Sequence, residues 1–141
     1  MSTNQIDPKE LESELQGFYG SEDFHRSSAF TRAIFHTDGV QYLAEKAGAY
    51  WLIDAIVSHQ MKPSIAREKF QVWRLVKKPD ESKATLICTD GGKDDLPGEK
   101  VIVTQKIPYT DFPLEKITLY LENGSLDGEH IHKILMLPSE R

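Results

Sequence analysis

At Phe70 the hydrophobic period of this chain changes. Before it, apolar residues recur at three- and four-residue spacings; after it, they alternate. The switch divides the 141 residues into a helical part, about 7–61, and a sheet part, about 70–137. Five segments after the switch read as strands: Phe70–Lys77, Ala84–Thr89, Lys100–Ile107, Leu114–Leu121 and Lys133–Leu137. In the fourth, Ile117, Leu119 and Leu121 oppose Lys116, Thr118 and Tyr120, the alternation of an antiparallel sheet with one covered face. The breaks between them hold turn residues, including Asn123-Gly124, and short connections predict a meander. The expected architecture is α+β. N-terminal helices lie on one face of a mostly antiparallel, meander-type sheet of about five strands, in a single domain over 1–141.

In the helical part, Asp7 and Pro8 suit a helix start, and Leu11, Leu15 and Phe18 form one stripe. Residues 20–29 read as a loop, and Ala33, Ile34 and Phe35 as a short extended edge segment. Thr37 or Asp38 can cap a second helix that ends near Gly48. From Ala49 to Gln60 the chain is apolar nearly all round a helical axis, with Asp54 its only formal charge. That pattern predicts a central helix buried against several neighbours, with Asp54 hydrogen-bonded to a Tyr or Trp. Pro63 stops it.

Composition narrows the function classes. Hydrophobic residues at 39% and charged residues at 28% suit a soluble globular protein, and no stretch reaches the roughly 18 apolar residues of a membrane helix. The polar, acidic N-terminus is neither a secretory signal nor a transit peptide, so the expected compartment is the cytoplasm. The single cysteine, Cys88, excludes an internal disulfide and a multi-cysteine zinc site. The net charge of −5 argues against non-specific nucleic-acid binding. It is unevenly spread, however. Residues 1–24 carry six acids against Lys9, and residues 62–78 carry six bases against Glu68.

No motif spells out a chemistry. His36 and Asp38 flank the capping Thr37, and capping alone explains them. Asp54, Ser58 and His59 share one helix, too rigid a frame for a triad, and no Gly-x-Ser-x-Gly turn exposes Ser58. His130 and His132 alternate as two zinc ligands would, but no third ligand is named, and a solvated hairpin is the plainer reading. The acidic loop 90–99 lacks the ligand spacing of a calcium-binding EF-hand. No catalytic residue, metal ligand or cofactor is therefore expected. The basic run is the better lead. If the sheet face bearing Trp73 is open, Arg67, Lys69, Trp73 and Arg74 form a contact patch for a protein or a nucleotide-type ligand.

The blocks LQGFYGSEDFHR at 15–26, TDGVQYLAEKAGAYWLIDAIVSHQ at 37–60, DFPLEKITLYLENG at 111–124 and LMLPSER at 135–141 carry a resemblance. Together they resemble a family of small uncharacterised bacterial proteins, similar to reading frames on plasmids, phages and mobile elements. SLDGEHIH at 125–132 departs from the family pattern as an insertion. The resemblance implies no activity and transfers no catalytic residue. The expected function is a non-enzymatic accessory binding protein, in mobile-element maintenance or host–element conflict. The alternatives are a small hydrolase or nuclease using Asp54 with His59 or His36, and a self-associating module joined through aromatics such as Trp73 and Tyr120.

Overall fold

The computed structural model describes residues 6–21, 23–28, 31–78, 80–91, 100–125 and 132–141. Four helices and seven strands follow in the order α1 (Pro8–Leu15), β1 (Phe24–Ser28), β2 (Thr31–Thr37), α2 (Asp38–Ala47), α3 (Tyr50–His59), α4 (Pro63–Ala66), β3 (Phe70–Lys77), β4 (Ala84–Thr89), β5 (Val101–Ile107), β6 (Lys116–Gly124) and β7 (His132–Met136). The strands form one sheet in the order β1-β2-β7-β6-β3-β4-β5. The α+β class holds. The sheet is larger than five strands and is mixed, because β2 and β7 run parallel, Ile34 opposite Lys133 and Phe35 opposite Ile134.

Each difference from the sequence reading has a local cause. β1 looked like a loop because its inward side chains are His25 and Ser27, polar residues that satisfy one another's neighbours rather than an apolar core. The meander holds only for β3, β4 and β5. The connection after β5 returns the chain across the sheet, so β6 pairs with β3, Trp73 opposite Leu119. Asn123 and Gly124 do not turn. They stay in β6, opposite Lys133 and His132.

The helix signals perform as the residue types suggest. The Thr37 hydroxyl accepts from the Val40 N–H at 3.4 Å, and Gly48 ends α2 in the left-handed region at φ 60°. Pro8 opens α1 without a side-chain cap from Asp7. On α3 only one side is buried, through Leu52, Ile53, Ile56 and Val57. Tyr50, Asp54 and Ser58, four residues apart, make a solvent stripe, so Asp54 is exposed rather than a buried polar handle. Pro63 does more than stop α3, since it starts the single turn of α4.

All four helices contribute to one apolar cluster on one face of the sheet, with Leu11, Leu43, Leu52, Ile56 and Ile65 against Trp73, Leu75, Leu86, Leu119, Leu121 and Leu135. A buried amide pair sits inside it. The Gln60 Nε2 donates to the Gln71 Oε1 at 2.8 Å, and the Gln71 Nε2 donates back at 2.9 Å. No helix among the described residues packs on the opposite face.

Candidate functional site

The register assigns the uncovered face residue by residue. Its strands stack side chains in rows across the sheet. One row runs Phe35, Ile134, Glu122, Phe70. The next runs Met136, Tyr120, Val72, Thr89. Phe70 and Tyr120 meet edge to face at 5.2 Å, and the Arg141 guanidinium lies 4.5 Å from the Phe70 ring centre and 5.9 Å from that of Tyr120. Gly91, at φ 76°, brings backbone so close that a Cβ there would stand 2.7 Å from the Phe70 ring. Val72, Ile134 and Met136 of these rows are buried outside the main core.

The remaining rows differ in character. One is Thr118, Arg74, Ile87, Thr104; the last is Lys116, Val76, Thr85, Lys106. Among the described residues, these two rows hold three cations, three threonines and no carboxylate. Lys106 and Lys116 are exposed, and Val76 is 40% exposed. Beside the last row a groove of about 500 Å3 adds Lys78 and Lys83 against Glu81. An acidic protein thus keeps a basic half-face next to an aromatic one.

The four contact residues expected from sequence do not come together. Trp73 is 1% exposed on the covered face. Its indole N–H donates to the Gln71 Oε1 at 2.9 Å, and its ring stacks on His59 at 5.4 Å, so it is core and cannot be a surface contact. Arg74 points to the opposite, uncovered face. Arg67 and Lys69 are exposed beyond α4. Arg67 joins Lys62, Lys100 and His59 around a groove of about 510 Å3, in which Glu68 also stands.

The hydrolase residues are dispersed as well. Asp54 makes no side-chain hydrogen bond among the described residues. His59 is held by the Gln105 Oε1 at 2.7 Å, and His36 belongs to a different cluster. There the Ser27 Oγ lies 2.8 Å from the His36 Nδ1, and the His36 Nε2 lies 2.6 Å from the Gln41 Oε1. The Gln41 amide donates to Glu45 and Tyr50, so its oxygen accepts, the His36 Nε2 carries the proton and Ser27 donates to Nδ1. His25 stacks on His36 at 5.3 Å and bonds Asp38 at 3.0 Å. Every member of the cluster has a partner, which suits a clasp between β1, β2 and α2. His130 lies outside the described residues. His132 starts β7 and meets the Phe35 ring edge to face. Among the described residues no group of three metal-ligating side chains converges.

Burial lowers the pKa of His36 from its ordinary 6.5, the Gln41 bond opposes that shift, and nearby His25 adds to it. The folded state therefore binds fewer protons here than the unfolded chain. The clasp contributes fully above pH 6.5 and weakens as the pH falls from there through the lowered value. Thermal midpoints measured from about pH 7.5 down to about pH 5 are expected to drop more steeply for the wild type than for His36→Gln. Equal slopes would remove His36 from that account. Cys88 is fully buried, and burial pushes its thiol up to about 12, which leaves it inert as a nucleophile in the folded protein.

A family model, Family of unknown function (DUF6876), matches residues 9–141. The chain belongs to that family. No curated protein and no solved structure matches it. The residues that sequence reasoning missed, Lys106 and Lys116, carried one readable signal. Each is an outward position in an alternating strand, but nothing in either strand says that its neighbours across the sheet are basic too.

No helix of the described residues is long and apolar enough to cross a membrane.

Proposed function

We propose that the protein is a non-enzymatic binding module whose uncovered sheet face receives an unpaired nucleic-acid strand. One observation carries the reading. Lys106 and Lys116, both exposed, stand in one row of the face that also carries the Phe70–Tyr120–Arg141 aromatic cluster. Cations track a phosphate backbone, and rings and guanidinium planes stack bases. Single-stranded ligands are preferred because a twisted sheet offers bases a platform, whereas a duplex hides its bases. The groove near α4 is less suited, since Glu68 interrupts its cations and its ring, His59, is bonded to Gln105 and stacked on Trp73. Two copies pairing through the sheet face would set basic rows against apolar or basic ones, with only Glu122 as a complement in the four rows. The setting that goes with this reading is the cytoplasm, in an accessory role during mobile-element maintenance or host–element conflict.

The test is fluorescence anisotropy with labelled oligo-dT and oligo-rU at low and moderate salt. Two phosphate contacts, at Lys106 and Lys116, predict a salt slope of about −1.4. Lys106→Glu, at an exposed position, should weaken binding by about tenfold, and Phe70→Ala should weaken it further through lost stacking. Absence of strand binding at low salt, or a Lys106→Glu variant that binds equally well, would overturn the reading. A dimer in solution that Lys106→Glu strengthens would replace it with self-association.

A further inference from the structure

β7 is shorter than the strand beside it. It pairs with β6 from Gly124 opposite His132 to Tyr120 opposite Met136, and no further. Lys116–Leu119 of β6 pair with β3 on one side only. After Met136 the chain turns away into a short 3₁₀ turn, Pro138–Glu140. That departure is fixed. The Glu140 carboxylate accepts from the Thr37 hydroxyl, from the Gly39 N–H at 3.1 Å and from the Leu137 N–H at 3.0 Å. It sits at the N-terminus of α2, where a negative charge is favoured. A Cβ on Gly39 would fall 2.6 Å from the same carboxylate, so glycine is what permits the approach.

Among the described residues, none fills the line that β7 abandons. A groove of about 770 Å3 runs there, walled by Pro113 to Thr118 on one side, by Leu15 and Glu12 of α1 on the other, and closed by Leu137–Ser139. Among the described residues, no second strand pairs with the backbone of β6 along this stretch, on the side away from β3. Unpaired strand groups inside a cleft are a template for one more strand, about 4.8 Å away.

We propose that this groove receives an extended peptide segment of a partner protein, which adds to the sheet beside β6 in the line of β7. The chemistry of the segment follows from the alternation of β6. Ile117 faces the helices together with Leu15, Leu114 and Leu137, so inward side chains of the added strand are aliphatic. Lys116 and Thr118 face the uncovered side, so outward side chains are acidic or hydroxylic. Among the residues that line the groove, Glu12 belongs to α1 whereas Lys116 stands on the other face, which places the acids of the partner on the Lys116 side of its strand. Backbone hydrogen bonds give the affinity, and the alternation gives the selectivity.

The experiment uses a labelled valine–glutamate alternating hexapeptide with blocked ends, and two versions of it N-methylated at one or the other alternate set of residues. Anisotropy and amide hydrogen exchange are the readouts. Binding is expected to slow exchange of amides within Lys116–Leu119. Methylation of the set that faces β6 should weaken binding at least tenfold, and methylation of the other set should not. Lys116→Glu should weaken the glutamate peptide several-fold and favour a valine–lysine analogue. No binding, equal effects of the two methylated peptides, or unchanged exchange in β6 would overturn the proposal. Protection of the same amides by raising the protein concentration alone, with a doubled mass, would also overturn it and name a second copy as the occupant.

Discussion

Gln71→Leu is expected to lower stability by about 3 kcal/mol, although it replaces a polar core residue by an apolar one of similar size. Gln71 is fully buried on the helix side of β3. Its oxygen accepts from Gln60 and from the Trp73 indole at 2.9 Å. Its amide donates to the Gln60 Oε1, to the Ile65 carbonyl at 3.1 Å and to the Glu68 carbonyl at 3.2 Å. One side chain thus satisfies the end of α3, the turn of α4 and a core tryptophan. Leucine gains a favourable transfer from water but leaves these groups without partners, and each buried orphan costs about 1–3 kcal/mol. The thermal midpoint should fall by roughly 10 °C. Gln60→Leu should cost less, since Gln60 lies nearer the surface, at 8% exposure. The double variant should cost less than the sum of the two, because each substitution removes a group that the other orphans. A urea midpoint for Gln71→Leu within error of the wild type would mean that water or a rearranged Gln60 meets these groups, and that the amide pair is dispensable.

The same core shows what a sequence can and cannot disclose. Strands β3 to β7 are legible because most of their inward residues are apolar, Gln71, Gln105 and Lys133 being the exceptions. β1 is not, because its inward residues, His25 and Ser27, answer to His36 and Asp38 instead of to the core. The parallel pairing of β2 with β7 joins residues about a hundred positions apart, and no local pattern records it. Asp54 misled for a related reason. A run rich in apolar residues suggests burial all round, yet three positions four residues apart are enough to open one side to water. Candidate contact residues depended on a further unknown. Alternation separates Trp73 from Arg74 correctly, but period two states only that a strand has two faces. Which face the helices cover is decided by the connections, above all by the return of the chain that sets β6 against β3. Basic rows on the uncovered face are a property of the register between strands, and register is invisible until the pairing is known.

Trp73→Ala is expected to be the most damaging single substitution in the sheet, at about 3–5 kcal/mol. The ring is 1% exposed, stacks on His59 and lies between Leu119 of β6 and Cys88 of β4, its partners in register. Its loss removes a large apolar contact surface and opens a cavity beneath α3 and α4 that their short connection cannot close. Trp73→Phe separates the two contributions of this residue. Phenylalanine keeps most of the ring packing but loses the indole N–H, while the Gln71 Oε1 retains its bond from Gln60. Its cost should be about 1–2 kcal/mol. Chemical denaturation of both variants measures the difference, and oligonucleotide binding measured at a temperature where both remain folded provides the second axis. A core role predicts that Trp73→Phe binds strands as the wild type does, because the uncovered face is untouched. A Trp73→Phe variant of unchanged stability but weakened binding would instead return Trp73 to the contact surface, and would require the helices to move aside when ligand arrives.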